Sequence, residues 1–284
     1  MRAMLAESRE NPIPGDPNDY VLGTIPVASG SGSHIVVLTL LKEMGNNSAA
    51  AAAANLLRSF SSVEDVLMVG IAGGIPSPDS PASHVRLGDV VVSDREGIVQ
   101  YDNLKVGIDK VQIRSSASKP SARMIGRVRS LEAARLAQQY PWESHISLGA
   151  HLEASSRPDD ATDKLFRWEG DHRSELAHPA DPLRRGGQPK LHYGRIGTAN
   201  TLLKNPDLRD QLRQDCNVIA VEMESSGLAD STWTSGKHYL VIRGICDYCD
   251  PAKNDVWQGY AAVAAAAYTR ALIASTPISE AGKS

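Results

Sequence analysis

Three apolar segments that each run into a glycine turn or a carboxylate constrain the fold of this chain most. "VLMVGIAGG" ends in glycines at Gly73 and Gly74, "VIAVE" ends at Glu222, and "YLVIRGICD" ends at Asp247. Continuous apolar runs of this length are typical of strands that are covered on both faces of a sheet. Helical patterns alternate with them, which predicts an α/β layered sheet. Because ligands gather at the carboxyl ends of strands in such sheets, we expect the three strand ends to form one pocket.

The length of 284 residues allows one large α/β domain or two ordinary ones, and a hydrophobic content of 42% provides a sizeable core. We predict a single domain over residues 20–275. Tails are expected at 1–19 and 276–284. A polar insertion, rich in Asp, Arg, His and Pro, is predicted at about 141–190, partly ordered by its apolar residues.

Charge and cysteine content exclude several function classes. The formal net charge is −3 with no sustained basic face, which argues against nucleic acid as a partner. No apolar run approaches the roughly 20 residues that span a bilayer, and the N-terminus lacks the apolar core of a signal peptide, so no membrane partner is expected. The odd set of Cys216, Cys246 and Cys249 argues against a disulfide framework and favours the reducing cytoplasm.

The glycines that follow the first apolar run have two interpretations. They can aim backbone N–H groups at an anion or let a ligand approach the backbone closely. A tight turn from strand to helix accounts for them equally well. The segment matches neither the Walker loop nor G-x-G-x-x-G, so nucleotide binding by those routes has no support.

The segment "VEMES" places Glu222 and Glu224 at a strand end. A carboxylate there can accept hydrogen bonds from two adjacent hydroxyls, as in a ribose diol, and Met223 is a soft apolar contact for a sugar or base. The alternative is that one glutamate is solvated and the other pairs with arginine. Arg243 needs an anionic partner if it is buried, and Glu222, Glu224 or Asp250 can serve.

Asp247 follows an apolar strand, so partial burial would favour its protonated form and make it a proton donor. The nearby Cys246-x-x-Cys249 spacing is formally a metal or redox motif. Since no second cysteine pair exists and the flanks do not resemble thioredoxin, we interpret the two as structural thiols. Four histidines in the insertion fit no standard metal spacing and are expected at the surface: His145, His151, His172 and His178. No metal and no cofactor is expected.

Together these segments resemble the nucleoside phosphorylase and nucleosidase superfamily, in its branch of 5′-methylthioadenosine/S-adenosylhomocysteine nucleosidase-like domains. "VGIAGG" with "VRLGDVVVSD" resembles the glycine turn and following strand of that family, "IAVEMESSGLAD" is similar to its ribose-binding signature, and "IRGICDYCD" to its base-protonating segment. "VIRGICDYCDPAKNDVWQGYAAVAAAAY", with "GIVQYD" and "RPDDATDKLF", resembles the subgroup often joined to ankyrin, NACHT or other defence-type domains. The resemblance covers about residues 20–275.

The resemblance implies an α/β three-layer sandwich with a central mixed β-sheet and the active site at the strand ends. Carried over, Glu224 would bind the ribose 2′- and 3′-hydroxyls and Met223 would pack on the sugar. Asp247 would protonate or hydrogen-bond N7 of the departing adenine. Arg243 would orient the neighbouring carboxylates, and Leu202 would lie near the base.

The resemblance further implies that Glu222 and the backbone of Ala72 and Gly73 contribute to substrate binding. The expected partner is a small-molecule nucleoside or nucleotide, and a homo-oligomer, a dimer or larger, is expected as in the family. The expected activity is hydrolysis of an N-glycosidic bond to release adenine. The alternatives are a phosphate-dependent purine nucleoside phosphorylase and a nucleoside-binding domain with impaired catalysis.

Two departures from the family pattern bear on activity. The family begins with a strand and a loop whose carboxylate positions the attacking water, whereas "MRAMLAESRE" resembles the helix that follows that loop. The first strand is therefore expected to be missing, either because the start is truncated or because the strand and its water-positioning residue are absent, and Glu7 and Glu10 are poor substitutes on such a helix. Ile71 stands where phosphorylases and many nucleosidases carry Ser or Thr, and its side chain cannot donate to phosphate. This favours hydrolysis.

Overall fold

The computed structural model of the protein describes residues 1–114 and 118–278. Its strands are β1 (Ala6–Glu10), β2 (Tyr20–Pro26), β3 (Ser33–Thr39), β4 (Asp65–Gly74), β5 (Val90–Gln100), β6 (Leu104–Val106), β7 (Val111–Ile113), β8 (Leu165–Glu169), β9 (His172–Leu176), β10 (Leu191–Thr198), β11 (Val218–Glu222) and β12 (His238–Asp247). Its α-helices are α1 (Asn46–Ser59), α2 (Ala122–Leu136), α3 (Glu143–Ile146), α4 (Pro206–Cys216), α5 (Ser225–Thr234) and α6 (Gln258–Ala274). Among these residues, none of the helices has the length and apolar character needed to cross a membrane.

The centre of the molecule is a mixed sheet with the strand order β10-β11-β4-β12-β5. β10 pairs in parallel with β11 and β5, and β12 pairs in parallel with β4. The β11–β4 and β12–β5 pairs are antiparallel. Since β5 pairs with both β10 and β12, the sheet closes on itself as a barrel. The predicted central mixed sheet is confirmed.

Alternate residues of β12 show how helices cover both faces of the sheet. Tyr239 and Val241 pack in one core cluster with residues of α1 and α5. Leu240 and Ile242 pack in a second cluster with residues of α2 and α6. Burial of each such aliphatic side chain contributes about 1.5–3 kcal/mol. The continuous apolar run of β12 therefore reflects a strand between two helical layers, and the predicted layered fold is confirmed.

The ends of β4, β11 and β12 meet at Gly73. In the sheet register, Gly73 lies opposite Val221 of β11 and opposite Asp247 of β12. Two strand ends that carry acids are thus brought to either side of one glycine. The topology supports the expectation that these three segments converge.

The N-terminal segment differs from its prediction. The helix expected from "MRAMLAESRE" is not formed. Arg2–Met4 form only a 3-10 turn, and the chain then enters β1. β1 pairs antiparallel with β2, and Met4 is 1% exposed in a cluster with α6 residues. Backbone pairing with β2 and burial of Met4 outweigh the weak local helix propensity. The domain boundaries at 20 and 275 stay a prediction.

The polar insertion is built around a hairpin. Within 141–190, α3 and the antiparallel pair β8–β9 are regular, and Leu165 is 1% exposed in the main core cluster. Nε1 of Trp168 donates a hydrogen bond to Oδ2 of Asp250 at 3.1 Å. The hairpin is therefore anchored to the loop that follows β12.

Candidate active site

One large cavity contains every residue predicted from the sequence to contact substrate. Its volume is about 1510 Å³, larger than the range of roughly 300–1,000 Å³ usual for small-molecule sites, because its lining continues along β4 as far as Asp65, at the opposite end of that strand from Gly73. The predicted residues that line it are Ala72, Gly73, Leu202, Glu222, Met223, Glu224, Arg243 and Asp247. The structure thus brings the three motifs together, while the role of each residue stays a prediction.

Glu222 is committed to the protein. It is 6% exposed and accepts hydrogen bonds from the N–H and the hydroxyl of Ser225, at 3.1 and 2.6 Å. It also accepts from the N–H of Glu224 at 3.1 Å. A carboxylate that accepts the first N–H groups of a helix satisfies donors that the helix leaves open and matches its dipole. Glu222 therefore ties the end of β11 to the start of α5.

Arg243 joins the two glutamates. It is 5% exposed, and its Nη2 donates to Glu222 and, at 3.1 Å, to Glu224. Of the three anions left open by the sequence, Asp250 is occupied with Trp168 instead. A Cβ atom at Gly70 would overlap Nη1 of Arg243, so this glycine leaves space for the guanidinium. The cation is held under both carboxylates.

Glu224 is the more available of the two acids. Its side chain is 12% exposed, against 1% for Glu222. Its oxygens accept long hydrogen bonds from the N–H groups of Gly45, at 3.4 Å, and Met223, at 3.3 Å. Burial raises the pKa of Glu224; Arg243 opposes this rise and the charge of Glu222 adds to it. Long bonds of this kind leave acceptor capacity for a ligand.

Asp247 is held at the end of β12 by donors on both oxygens. It is 4% exposed, and its Oδ1 accepts from the N–H of Cys249 at 2.9 Å. Its Oδ2 accepts from Nζ of Lys253 at 2.7 Å and from the thiol of Cys246 at 3.3 Å. These three hydrogen bonds fix the orientation of the Asp247 carboxyl group in the cavity wall.

The glycine segment brings the backbone of β4 close to Asp247. A Cβ at Gly73 would overlap Sγ of Cys249 and would lie 2.8 Å from Oδ1 of Asp247. The strand continues through Ala72 to Gly74 and pairs with β11, so a tight turn does not begin at these glycines. Their close packing is the physical reason for glycine at 73.

The apolar wall of the cavity contains Met223 and Leu202. Met223 is half-buried between the two glutamates. Leu202 is 53% exposed at the rim. The cavity is therefore lined both by apolar side chains, Leu202 and Met223, and by the two acids Glu222 and Glu224.

Lys253 and Gly45 are neighbours of the two candidate acids that the sequence pattern did not reveal. Lys253 lies six positions after Asp247, and only the path of the intervening loop returns it to that side chain. Gly45 precedes α1, far from Glu224 in the chain. A lysine between two acids in "CDPAKND" was a visible signal, but spacing alone does not identify its partner.

The cysteines beside the cavity are free buried thiols. Burial raises the pKa of Cys246 and of Cys249, and the nearby Asp247 carboxylate adds to both rises. Both side chains therefore remain protonated. In the described ranges 1–114 and 118–278, no three His, Cys, Asp or Glu side chains are grouped so that they could hold a metal ion.

The surface position expected for His178 is wrong. Its side chain is 13% exposed, its Nδ1 lies 2.9 Å from Nε2 of His84, and its Nε2 lies 2.8 Å from the carbonyl of Asp163. Composition suggested a solvated loop, but the insertion folds back onto the core and buries this imidazole. His151 and His172 are exposed as expected.

Comparison with known proteins places this geometry in a family. The sequence profile of the phosphorylase superfamily matches residues 3–274. A nucleotide-binding leucine-rich repeat (NLR)-like protein of Hyaloscypha variabilis is 33% identical over 273 residues, which are 91% of this chain and 26% of that protein. The ATP nucleosidase Cap17 of Escherichia coli is 25% identical over 226 residues, 79% of this chain and 38% of Cap17. The chain thus spans about a quarter to two fifths of the length of these relatives.

A solved structure shows the same fold. An S-adenosylhomocysteine nucleosidase from Streptococcus pyogenes, in complex with 5-methylthiotubericidin, superposes with a TM-score of 0.60 and 18% sequence identity, covering 96% of this chain and 88% of that chain. The NLR-like relative and Cap17 agree with the predicted resemblance to the subgroup joined to defence-type domains. With the profile matching nearly the whole chain, this protein belongs to the phosphorylase superfamily, as its motifs indicated.

Proposed function

We propose that the protein is a nucleosidase that hydrolyses the N-glycosidic bond of an adenosine-containing nucleoside or nucleotide and releases adenine. The observation that supports this most is the placement of Glu224 and Asp247 in one cavity. Glu224 is a partly available carboxylate held by Arg243, and Asp247 is a buried acid that lines the same cavity. The small-molecule substrate is the proposed partner; a homo-oligomeric assembly in the cytoplasm stays a prediction.

The chemistry of bond cleavage fits these two groups. As the C1′–N9 bond breaks, the sugar gains oxocarbenium character, and anions near the ribose stabilise it. Glu224 would accept hydrogen bonds from the 2′- and 3′-hydroxyls, with Met223 packed on the sugar. Asp247 would place a proton on N7, so that adenine leaves as a neutral base. Arg243 would keep Glu222 and Glu224 in position.

Hydrolysis is favoured over phosphorolysis by Ile71. Its aliphatic side chain, at the cavity wall in β4, cannot donate a hydrogen bond to phosphate. Glycosidic cleavage then needs only water as the acceptor of the ribosyl group. Phosphorolysis would require an anion site made of backbone N–H groups alone.

A cation at the cavity supports a substrate with a 5′ phosphate. The same cavity is bordered by Lys42, a cation in the loop before α1 that suits a phosphate group. Cap17 carries ATP in its name, which makes a nucleoside triphosphate a member of the proposed substrate class. Methylthioadenosine, S-adenosylhomocysteine, AMP and ATP are therefore the compounds to compare.

The test is direct detection of free adenine. The full chain is incubated with each of these compounds and with adenosine, with and without inorganic phosphate, and the products are separated by chromatography. We expect adenine and the free ribosyl product without phosphate. Adenine formation only in the presence of phosphate, with a ribose 1-phosphate product, would instead identify a phosphorylase.

A second candidate is a nucleoside-binding domain without turnover. It is favoured by one observation: Glu7 and Glu10, the acids of the N-terminal segment, lie on the exposed strand β1 and do not border the cavity. Calorimetric binding of a non-hydrolysable adenosine analogue, together with no adenine release from any of the compounds, would support this candidate over hydrolysis.

A further inference from the structure

The proposed acid, Asp247, is one member of an ion pair at the cavity wall. Nζ of Lys253 is 2.7 Å from Oδ2 of Asp247, and the two side chains are 21% and 3% exposed. Removing both charges from water is costly, and such a pair contributes little net stability. The position of this pair at the cavity wall therefore calls for a chemical explanation.

The charge state of the pair decides where its transferable proton is stored. Burial lowers the pKa of Lys253, but the hydrogen bond and the charge of Asp247 outweigh burial and raise it. The proton thus resides on the ammonium group. Since N7 of adenine presents a lone pair, it repels a carboxylate and is attracted only to a carboxyl group that holds a proton. The pair must shift its proton from Lys253 to Asp247 before or during cleavage.

The pair also separates two cavities. Among the residues that the structure describes, a second, smaller cavity of about 200 Å³ shares with the large one only Cys246, Asp247 and Lys253. Its other walls include Lys164 and Arg173, which are exposed, so the small cavity communicates with solvent. At roughly 30 Å³ per water molecule, it has room for several waters.

The loop after β12 fixes Lys253 over Asp247. The N–H of Lys253 donates to the carbonyl of Asp250 at 3.1 Å, and Oδ1 of Asp250 accepts from the N–H of Ala252 at 2.9 Å. Oδ2 of the same aspartate accepts from Trp168 of the hairpin at 3.1 Å. The lysine is therefore positioned by a turn that the insertion anchors.

We propose that Lys253 supplies, through Asp247, the proton that departing adenine takes up at N7, and that the small cavity restores this proton from solvent. The C1′–N9 bond breaks and its electron pair passes to the purine. The Lys253 ammonium passes its proton to the Asp247 carboxylate and becomes a neutral amine, and N7 takes that proton from Asp247, which returns to a carboxylate. Water adds to C1′ and releases a proton, and solvent recharges Lys253. The sum is nucleoside plus water giving ribose and adenine.

This inference rests on the proposed function, and substrates that differ in leaving group test it. K253M and K253R are compared with wild type on the adenosine compound that wild type cleaves best and on p-nitrophenyl β-D-ribofuranoside, whose phenolate leaves without protonation. K164M is the matched control, because Lys164 borders the same small cavity but pairs with Glu175 at 3.1 Å.

We expect K253M to lower kcat for adenine release by about 100-fold or more, the size of a lost general-acid contribution. KM and kcat on the p-nitrophenyl riboside should change by less than about threefold, since that step needs no proton. K253R should recover part of the loss, and K164M should match wild type. Equal losses of K253M on both substrates, or full adenine release, would overturn the inference.

Chemical rescue provides an independent measurement. In K253A, added ethylammonium can enter the small cavity and donate a proton to Asp247, whereas tetramethylammonium has no N–H to donate. We expect ethylammonium alone to raise kcat by about 10-fold, within the range of a restored proton donor. Equal effects of the two salts would contradict the inference. Wild type that releases no adenine at all would instead refute the proposed function itself.

Discussion

At the scale of single residues, two neighbouring glutamates have different surroundings. Glu222 accepts from the start of α5 and from Arg243, whereas Glu224 has longer bonds and more exposed surface. Position in the chain separates them by only one residue. What distinguishes them is the strand-to-helix turn. It directs Glu222 towards the backbone N–H groups at the start of α5 and leaves Glu224 more exposed to the cavity.

The Glu224→Gln substitution tests the proposed ribose contact. Replacing a charged acceptor by an amide should lower kcat/KM on a ribosyl substrate by about 10- to 100-fold, since hydrogen bonds to charged groups contribute roughly 1.5–3 kcal/mol. The loss should shrink to less than about threefold on the 2′,3′-dideoxy analogue, where the contact is absent in both proteins. An equal loss on the two substrates in steady-state kinetics would assign Glu224 a structural role.

The Asp247→Asn substitution tests the proposed acid. The amide keeps the shape of the side chain but holds no acidic proton, so kcat for adenine release should fall by about 10²- to 10⁴-fold. Binding of a non-hydrolysable adenosine analogue, measured by calorimetry, should stay detectable. Full activity of this variant would show that the proton comes from elsewhere.

At the scale of elements, the hairpin β8–β9 connects the insertion to the active-site loop. Its Trp168 donates to Asp250, which is 2% exposed and holds the turn that carries Lys253. An insertion that looks like a solvated loop in composition is therefore part of the support of the site.

The Trp168→Phe substitution removes this donor and keeps an aromatic ring. Loss of one hydrogen bond to a buried carboxylate should lower the free energy of unfolding by about 1–3 kcal/mol. We also expect a several-fold decrease in kcat, because the turn over Asp247 is less firmly held. Urea denaturation measures the first effect. Trp233→Phe is the control, since Trp233 is 80% exposed, and a similar loss there would contradict the assignment.

At the scale of the whole molecule, a buried histidine pair joins the insertion to the core. His84 is 2% exposed; its Nδ1 accepts from the N–H of Ser77 at 3.0 Å, and its Nε2 lies 2.9 Å from His178. Burial lowers the pKa of His84 from 6.5 to about 4, and the positive charges of His178 and Arg184 add to this. The hydrogen bond from the N–H of Ser77 requires a neutral His84, because Nδ1 accepts it only when unprotonated.

This pKa shift predicts a loss of stability in mild acid. Because the folded-state pKa lies below the unfolded one, the unfolded chain binds more protons between pH 6.5 and 4. The contribution of His84 is complete above pH 6.5 and declines towards pH 4, by at most about 3 kcal/mol at 1.36 kcal/mol per pH unit. The pKa values of Asp89 and Asp163 are lowered from 3.8, so these acids titrate below the window.

Urea denaturation at pH 7 and at pH 5 measures this effect. His84→Asn should be less stable than wild type at pH 7 but should lose less on acidification. His151→Asn, at an exposed histidine, should keep the wild-type slope. Identical slopes for wild type and His84→Asn would show that this imidazole does not titrate with unfolding.

The sequence by itself determined the layered sheet and the set of candidate residues. The apolar runs ending at Gly73, Glu222 and Asp247 are long and unbroken, and only strands covered on both faces bury such runs. The N-terminal segment was mispredicted, because local propensity is weak and pairing of β1 with β2 overrides it.

Only the tertiary structure decided which groups meet across the cavity. In the folded chain Arg243 pairs with Glu222 and Glu224 rather than with Asp250, and Lys253 lies against Asp247. These choices depend on the register of the sheet and on the path of one loop. Both are fixed by contacts between segments far apart in the chain. Hydrophobic periodicity and motif spacing report only on neighbouring residues and do not predict such contacts.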